Sequence, residues 1–164
     1  MYTNFEELDR NSRLWVYQAD RPFNEEEKQF ILQNGKAFVD SWTAHNKALN
    51  ASIEIKYNQF IVLAVDETKA PATGCSIDKS VHFVKALENE LKINLLDKSK
   101  IAFLKNDAIS LENLPSIKLK VESDEITSDL LTFNNMVTTK GDFESNWLIP
   151  ATESWMARFF KAKV

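Results

Sequence analysis

An α+β fold is predicted for this chain by three features: two amphipathic helical stretches, four short runs with strand character, and their order along the sequence. "LWVYQA" from Leu14 is apolar and aromatic-rich, as a strand is, and "RPF" then breaks it. Asn24 followed by Glu27 has the form of a capping box, and Phe30, Ile31, Ala37, Phe38, Ser41 and Trp42 recur at helical spacing. A helix is therefore expected from about 24 to 41, with Gly35 as its weak point. In "SIEIKYNQFIVLAV", Ile53, Ile55 and Tyr57 alternate with polar residues, and after Asn58-Gln59 comes the continuous apolar run Phe60 to Val65, which reads as a hairpin. "DETKAPATG" is loop by composition. Ser76 is expected to cap the next helix, with Asp78 in its first turn and Ile77, Val81, Val84, Leu87 and Leu91 as one apolar stripe. "IAFL" from Ile101 supplies a fourth strand.

The resulting β-α-β-β-α-β series is the ferredoxin-like arrangement, an antiparallel sheet of spatial order 4-1-3-2 with two helices on one face. Strands one and three would be central and strand two an edge. The unbroken apolar runs at Leu14 and Phe60 and the polar alternation at Ser52 to Tyr57 agree with that order. Two helices cover one face only, so something must bury the other. Residues 106–164 are the expected cover, because they carry Phe133, Phe143, Trp147, Trp155, Phe159 and Phe160, with "SIKLKV" and "LLTF" as further strands and a terminal helix over "ATESWMARFF". The alternative is a homodimer that packs two sheets together. The chain is thus expected to be a single domain, 1–164, with a core at 1–105 and an extension at 106–164.

Composition limits the function classes. With 44% hydrophobic and 27% charged residues the 164-residue chain matches a soluble globular protein rather than a disordered one. No run approaches the ~20 apolar residues of a bilayer span, and "MYTNFEELDR" lacks the regions of a signal peptide. A cytoplasmic location is the expectation. One cysteine with only His45 and His82 beside it cannot build a closed Cys/His zinc site, carboxylates show no EF-hand spacing, and no metal or cofactor is expected. A net charge of -4 disfavours nucleic acid as a partner.

The predicted topology delivers His45, Asp66, Glu67, Cys75 and Asp78 to one rim of the sheet. A thiol beside an imidazole is one way to make a nucleophile, so Cys75 with His45 as base and Asp66 or Glu67 as orienter is a candidate catalytic set. Against it, Asp78 adds a negative charge nearby, a free cysteine is commonly a buried packing residue, and adjacent carboxylates after a strand are usually solvated. His45 next to a helix end reads more simply as a dipole partner or surface residue, and His82 as solvent-facing or boundary. Trp147, Trp155 and Phe159 read as core anchors, or as an interface if exposed. Gly35, Gly74 and Gly141 form no phosphate-binding P-loop, and "TTKGD" has the wrong order for one. "LWVY" is superficially like the first-strand motif of an RNA-recognition domain, but "QFIVLAVDE" lacks the required stacking aromatics and basic residue.

The blocks "SRLWVYQADRPF", "SWTAH", "ATGCSIDKSVHFV" and "FNNMVTTKGDFESNWLIPATESWMARFF" together resemble a family of short bacterial proteins of uncharacterised function, frequent in Bacteroidetes genomes and often catalogued as "ABC transporter ATPase". The resemblance spans nearly the whole chain, and its specificity lies in the set of blocks, the last above all. It implies a bacterial origin. Nucleotide hydrolysis, which the catalogue name implies, would need a Walker A loop and a Leu-Ser-Gly-Gly-Gln-type segment, and the sequence has neither. Three functions follow in order of expectation: a non-enzymatic binding or regulatory module with a protein or small-molecule partner, a cysteine-dependent enzyme or thiol sensor, and an ATPase.

Overall fold

Strand β1 (Arg13–Gln18) leads into helix α1 (Glu25–Ser41), whose start is set by the expected capping box. Asn24 Oδ1 accepts from Glu27 N at 2.8 Å, and Glu27 Oε1 accepts from Asn24 N at 3.0 Å. Arg21 donates to both Glu27 oxygens, at 2.8 and 2.7 Å, and to Leu91 O at 3.2 Å. The Arg21 guanidinium, then the Asn24 amide, hold the Glu27 carboxyl at about 2, below its ordinary 4.5. A depressed carboxyl contributes stability that is present above the ordinary value and lost as pH falls toward about 2. The melting-temperature gap between wild type and Arg21→Ala is therefore expected to narrow as pH falls through that window. Its size at neutral pH should be no more than ~1 kcal/mol, because Arg21 is solvent-screened.

The structure, a computed structural model that describes residues 1–161, divides into two units: Met1–Leu96 with Met136–Glu144, and Asp97–Asn135 with the residues from Ser145 on. After α1 the first unit continues with a small hairpin, β2 (Thr43–Ala44) and β3 (Lys47–Ala48), then β4 (Asn50–Lys56), β5 (Phe60–Asp66) and α2 (Gly74–Leu91). The sheet order is β1-β5-β4, antiparallel throughout, with Leu63 opposite both Trp15 and Ile53. Residues Phe60 to Val65 are buried on both faces because β5 is central, as the unbroken apolar run implied. Ile31 and Val39 of α1, Val84 and Leu87 of α2, and Ile53, Ile61, Leu63 and Val65 of the sheet share one core. Gly35 is not a weak point there. A Cβ at Gly35 would lie 2.5 Å from Ile53 Cδ1 and 3.1 Å from its Cγ2, so the missing side chain lets α1 sit close on β4.

The expected fourth strand is where the ferredoxin-like reading fails. Strand β6 (Lys100–Lys105) belongs to the second unit, in a separate sheet of order β7-β6-β8-β9. Its partner β7 (Ala108–Asn113) returns through the two-residue turn Asn106–Asp107, both at positive φ, a geometry that matches strand twist and closes the shortest loop. In the first unit, residues 138–141 take the edge position beside β1 instead. Leu14 N donates to Thr138 O at 2.9 Å, and Arg13 and Thr139 form an antiparallel bridge. On the helix-free face Phe5 and Phe143 meet edge to face at 5.9 Å, and Lys56 Nζ lies 5.8 Å from the Phe5 ring. Phe5 and Leu8 are thus cover that the sequence reading left out, while Phe143 is among the residues it expected.

The second unit corrects two further expectations. "SIKLKV" is helix, α3 (Ile117–Glu122), not strand: Ile117 and Val121 are buried one turn apart and Leu119 faces out. An i, i+2, i+4 apolar pattern fits either period when it is this short. "LLTF" does contain a strand, β8 (Leu131–Phe133). After α4 (Lys140–Asn146), which starts in the first unit, come β9 (Leu148–Pro150) and α5 (Ala157–Lys161). The terminal helix is shorter than expected because "ATE" is a separate 3-10 turn, and Ser154 Oγ accepts from Met156 N ahead of α5. The described residues thus make an α+β protein of five α-helices and antiparallel sheets.

Candidate functional site

Cys75 sits in the first turn of α2 and is exposed. The cap is Thr73 rather than Ser76: Thr73 Oγ1 accepts from Ser76 N at 3.2 Å, and Thr73 N donates to Ser76 Oγ at 2.6 Å. The helix therefore begins three residues earlier than expected. Ser76 is buried inside it, and Asp78 lies beyond the first turn, which carries no acidic residue. Thr73-x-x-Ser76 was the available signal, a reciprocal cap without the usual glutamate.

This turn is pinned from the side. Buried Trp42, the cap of α1, donates from Nε1 to Ser76 O at 2.8 Å. Its ring lies 5.2 Å from Phe38 and 6.4 Å from Trp15, and Phe38 stacks on Phe83 of α2 at 4.7 Å. The aromatic ladder fixes the end of α1 to the start of α2, and the β2–β3 hairpin packs on α2 beside it. His45 occupies the tip of that hairpin, exposed and at φ 50°. The topology thus brings the His45 hairpin and the Cys75 helix to one rim, but no hydrogen bond joins the two side chains among the described residues.

The two carboxylates organise the loop between β5 and α2. Asp66 Oδ1 accepts from Thr68 N at 2.9 Å, and Glu67 Oε2 accepts from Ala72 N at 3.2 Å. Glu67 also lies 4.0 Å from the Arg13 guanidinium, which is 5.1 Å from the Trp15 ring. Arg13 is the rim residue that sequence reasoning missed. Its position two residues before Trp15 on β1 was the signal, since alternation puts both on one face. No protein-family model, curated protein or solved structure matches the chain. Among the described residues no cluster of three or more His, Cys, Asp or Glu could hold a metal ion, and no helix is long and apolar enough to cross a membrane.

The remaining predicted residues lie in the second unit. Trp147 is a core anchor: it is buried, its Nε1 donates to Asn135 Oδ1 at 2.9 Å, and its ring is 4.9 Å from Phe133. Trp155 is 44% exposed and meets half-buried Phe159 edge to face at 5.8 Å, with the Arg158 guanidinium 4.9 Å from the Phe159 ring. Leu119, on the outer side of α3, is 67% exposed. It was missed because its segment read as a strand.

Proposed function

We propose that the chain is a cytoplasmic, non-enzymatic binding or regulatory module of bacterial origin that engages a protein partner through exposed apolar residues of its second unit, Trp155 above all. The observation that carries this reading is the exposure of Trp155, in the turn before α5, and of Leu119 on α3, beside residues that form a core, since half-exposed tryptophan is a typical anchor of protein interfaces. The engagement of Asp66 and Glu67 by the loop backbone supports it from the other side. Capture from a bacterial lysate on immobilised wild type and on Trp155→Ala tests it. A specific protein retained by the wild type should fall at least ~10-fold on the variant, the effect of a hot-spot truncation, while the melting temperature stays nearly unchanged. Identical capture by both baits would sink the reading, as would a turnover that stops on a single rim substitution.

A thiol sensor or cysteine-dependent enzyme is the second reading, favoured by the exposure of Cys75 in the first turn of α2. The nucleotide hydrolysis of the catalogue name draws no support from the glycines: Gly35 lies inside α1, Gly74 opens α2 and Gly141 lies in α4.

A further inference from the structure

Lys140 is the only charged residue buried among the described residues, at 5% exposure. A buried ammonium is costly unless its donors are matched. Here Nζ donates to two backbone carbonyls, Glu6 O at 3.1 Å and Leu8 O at 2.8 Å, and lies 5.1 Å from the Phe5 ring. The carboxylate of Glu144 is 3.8 Å away and more than half exposed. The ammonium is therefore held chiefly by one short stretch of main chain, the 3-10 turn Phe5–Glu7 and the residue after it.

The backbone around Lys140 forms a zipper with the residues leading into β1. Leu14 N donates to Thr138 O at 2.9 Å, Lys140 N to Ser12 O at 2.9 Å and Gly141 N to Arg10 O at 2.7 Å. Gly141 sits close to this segment: a Cβ there would lie 3.2 Å from two Arg10 guanidinium nitrogens and 3.3 Å from Arg10 O. These contacts are all made within the first unit but outside the core that α1 and α2 build on the opposite face of the sheet.

We propose that residues 136–144 form a strap that opens from the outer edge of β1 as one unit with the Phe5–Leu8 turn, and that the Lys140 ammonium is its latch. Without the amine, the Glu6 and Leu8 carbonyls lose their charged donor while the three zipper bonds remain, so the strap weakens and the helical core does not. The device controls access to the β1 edge, where Leu14 N is paired only while the strap is closed. It rests on the first unit alone and does not depend on the partner reading.

Amide hydrogen exchange of the full chain in low denaturant tests it. In wild type the amides of Leu8, Leu14, Lys140, Gly141 and Phe143 should share one protection factor, at least ~10-fold below those of Ile31, Val39 and Val84. Lys140→Met should raise exchange at the first set roughly tenfold more and leave the second set unchanged. Gly141→Ala, whose Cβ would crowd Arg10 O at 3.3 Å, should shift the first set in the same direction and serves if the methionine variant does not fold. Strap amides as protected as those of α1 and α2 in wild type would overturn the proposal. So would variants that accelerate both sets equally or neither.

Discussion

Trp42→Ala is expected to lower the stability of the first unit by about 4 kcal/mol, in the range for removing a buried tryptophan. Two contributions are lost together. The ring is almost fully buried between Phe38 and Trp15, and its Nε1 supplies the donor for Ser76 O inside the first turn of α2. Trp42→Phe separates them. It keeps most of the ring contact and removes only the indole donor to Ser76 O, so it should cost about 0.5–1.5 kcal/mol. Urea denaturation followed by far-ultraviolet circular dichroism measures both variants. Equal losses for alanine and phenylalanine would mean that the hydrogen bond, not packing, ties α1 to α2. The same ladder holds the turn that bears Cys75, so both variants should loosen the rim.

Gly35→Ala is expected to destabilise the first unit by about 2 kcal/mol, although alanine is the better helix former by about 1 kcal/mol. The added Cβ would sit 2.5 Å from Ile53 Cδ1, and Ile53 is enclosed in the helix-side core with little room to yield. The test is a double-mutant cycle with Ile53→Val, which deletes that Cδ1 atom. In the valine background the cost of Gly35→Ala should fall below about 1 kcal/mol, a coupling that independent sites do not show. An unchanged cost in both backgrounds would place the strain elsewhere.

These two positions show where the sequence was legible and where it was not. The capping box at Asn24, the hairpin at Ser52 to Val65 and the strand order one-three-two were readable because each rests on local spacing or on burial of whole strands. The partner of the fourth strand was not readable. A strand at Ile101 carries no mark that says which sheet it joins, and the turn residues Asn106–Asp107, which pair it with β7, were passed over. Gly35 was misread because helix propensity is a property of one residue, whereas its role depends on Ile53 across the sheet. Of the candidate site, the gathering of the Cys75 helix and the His45 hairpin at one rim followed from topology. The loop bonds of Asp66 and Glu67, the Arg13 contact and the burial of Lys140 depend on tertiary distances that no spacing encodes.

The most direct measurement is the pH dependence of Cys75 alkylation in the native protein, repeated in His45→Ala. The Cys75 thiol is exposed and makes no hydrogen bond to His45, and the proposed reading gives the two no shared chemistry. The native protein should therefore alkylate without denaturant, and the variant should follow the same rate profile to within about twofold, since no hydrogen-bonded base has been removed. A native thiol whose reactivity at neutral pH falls ~10-fold or more on loss of His45 would contradict this account and make Cys75 and His45 a working pair.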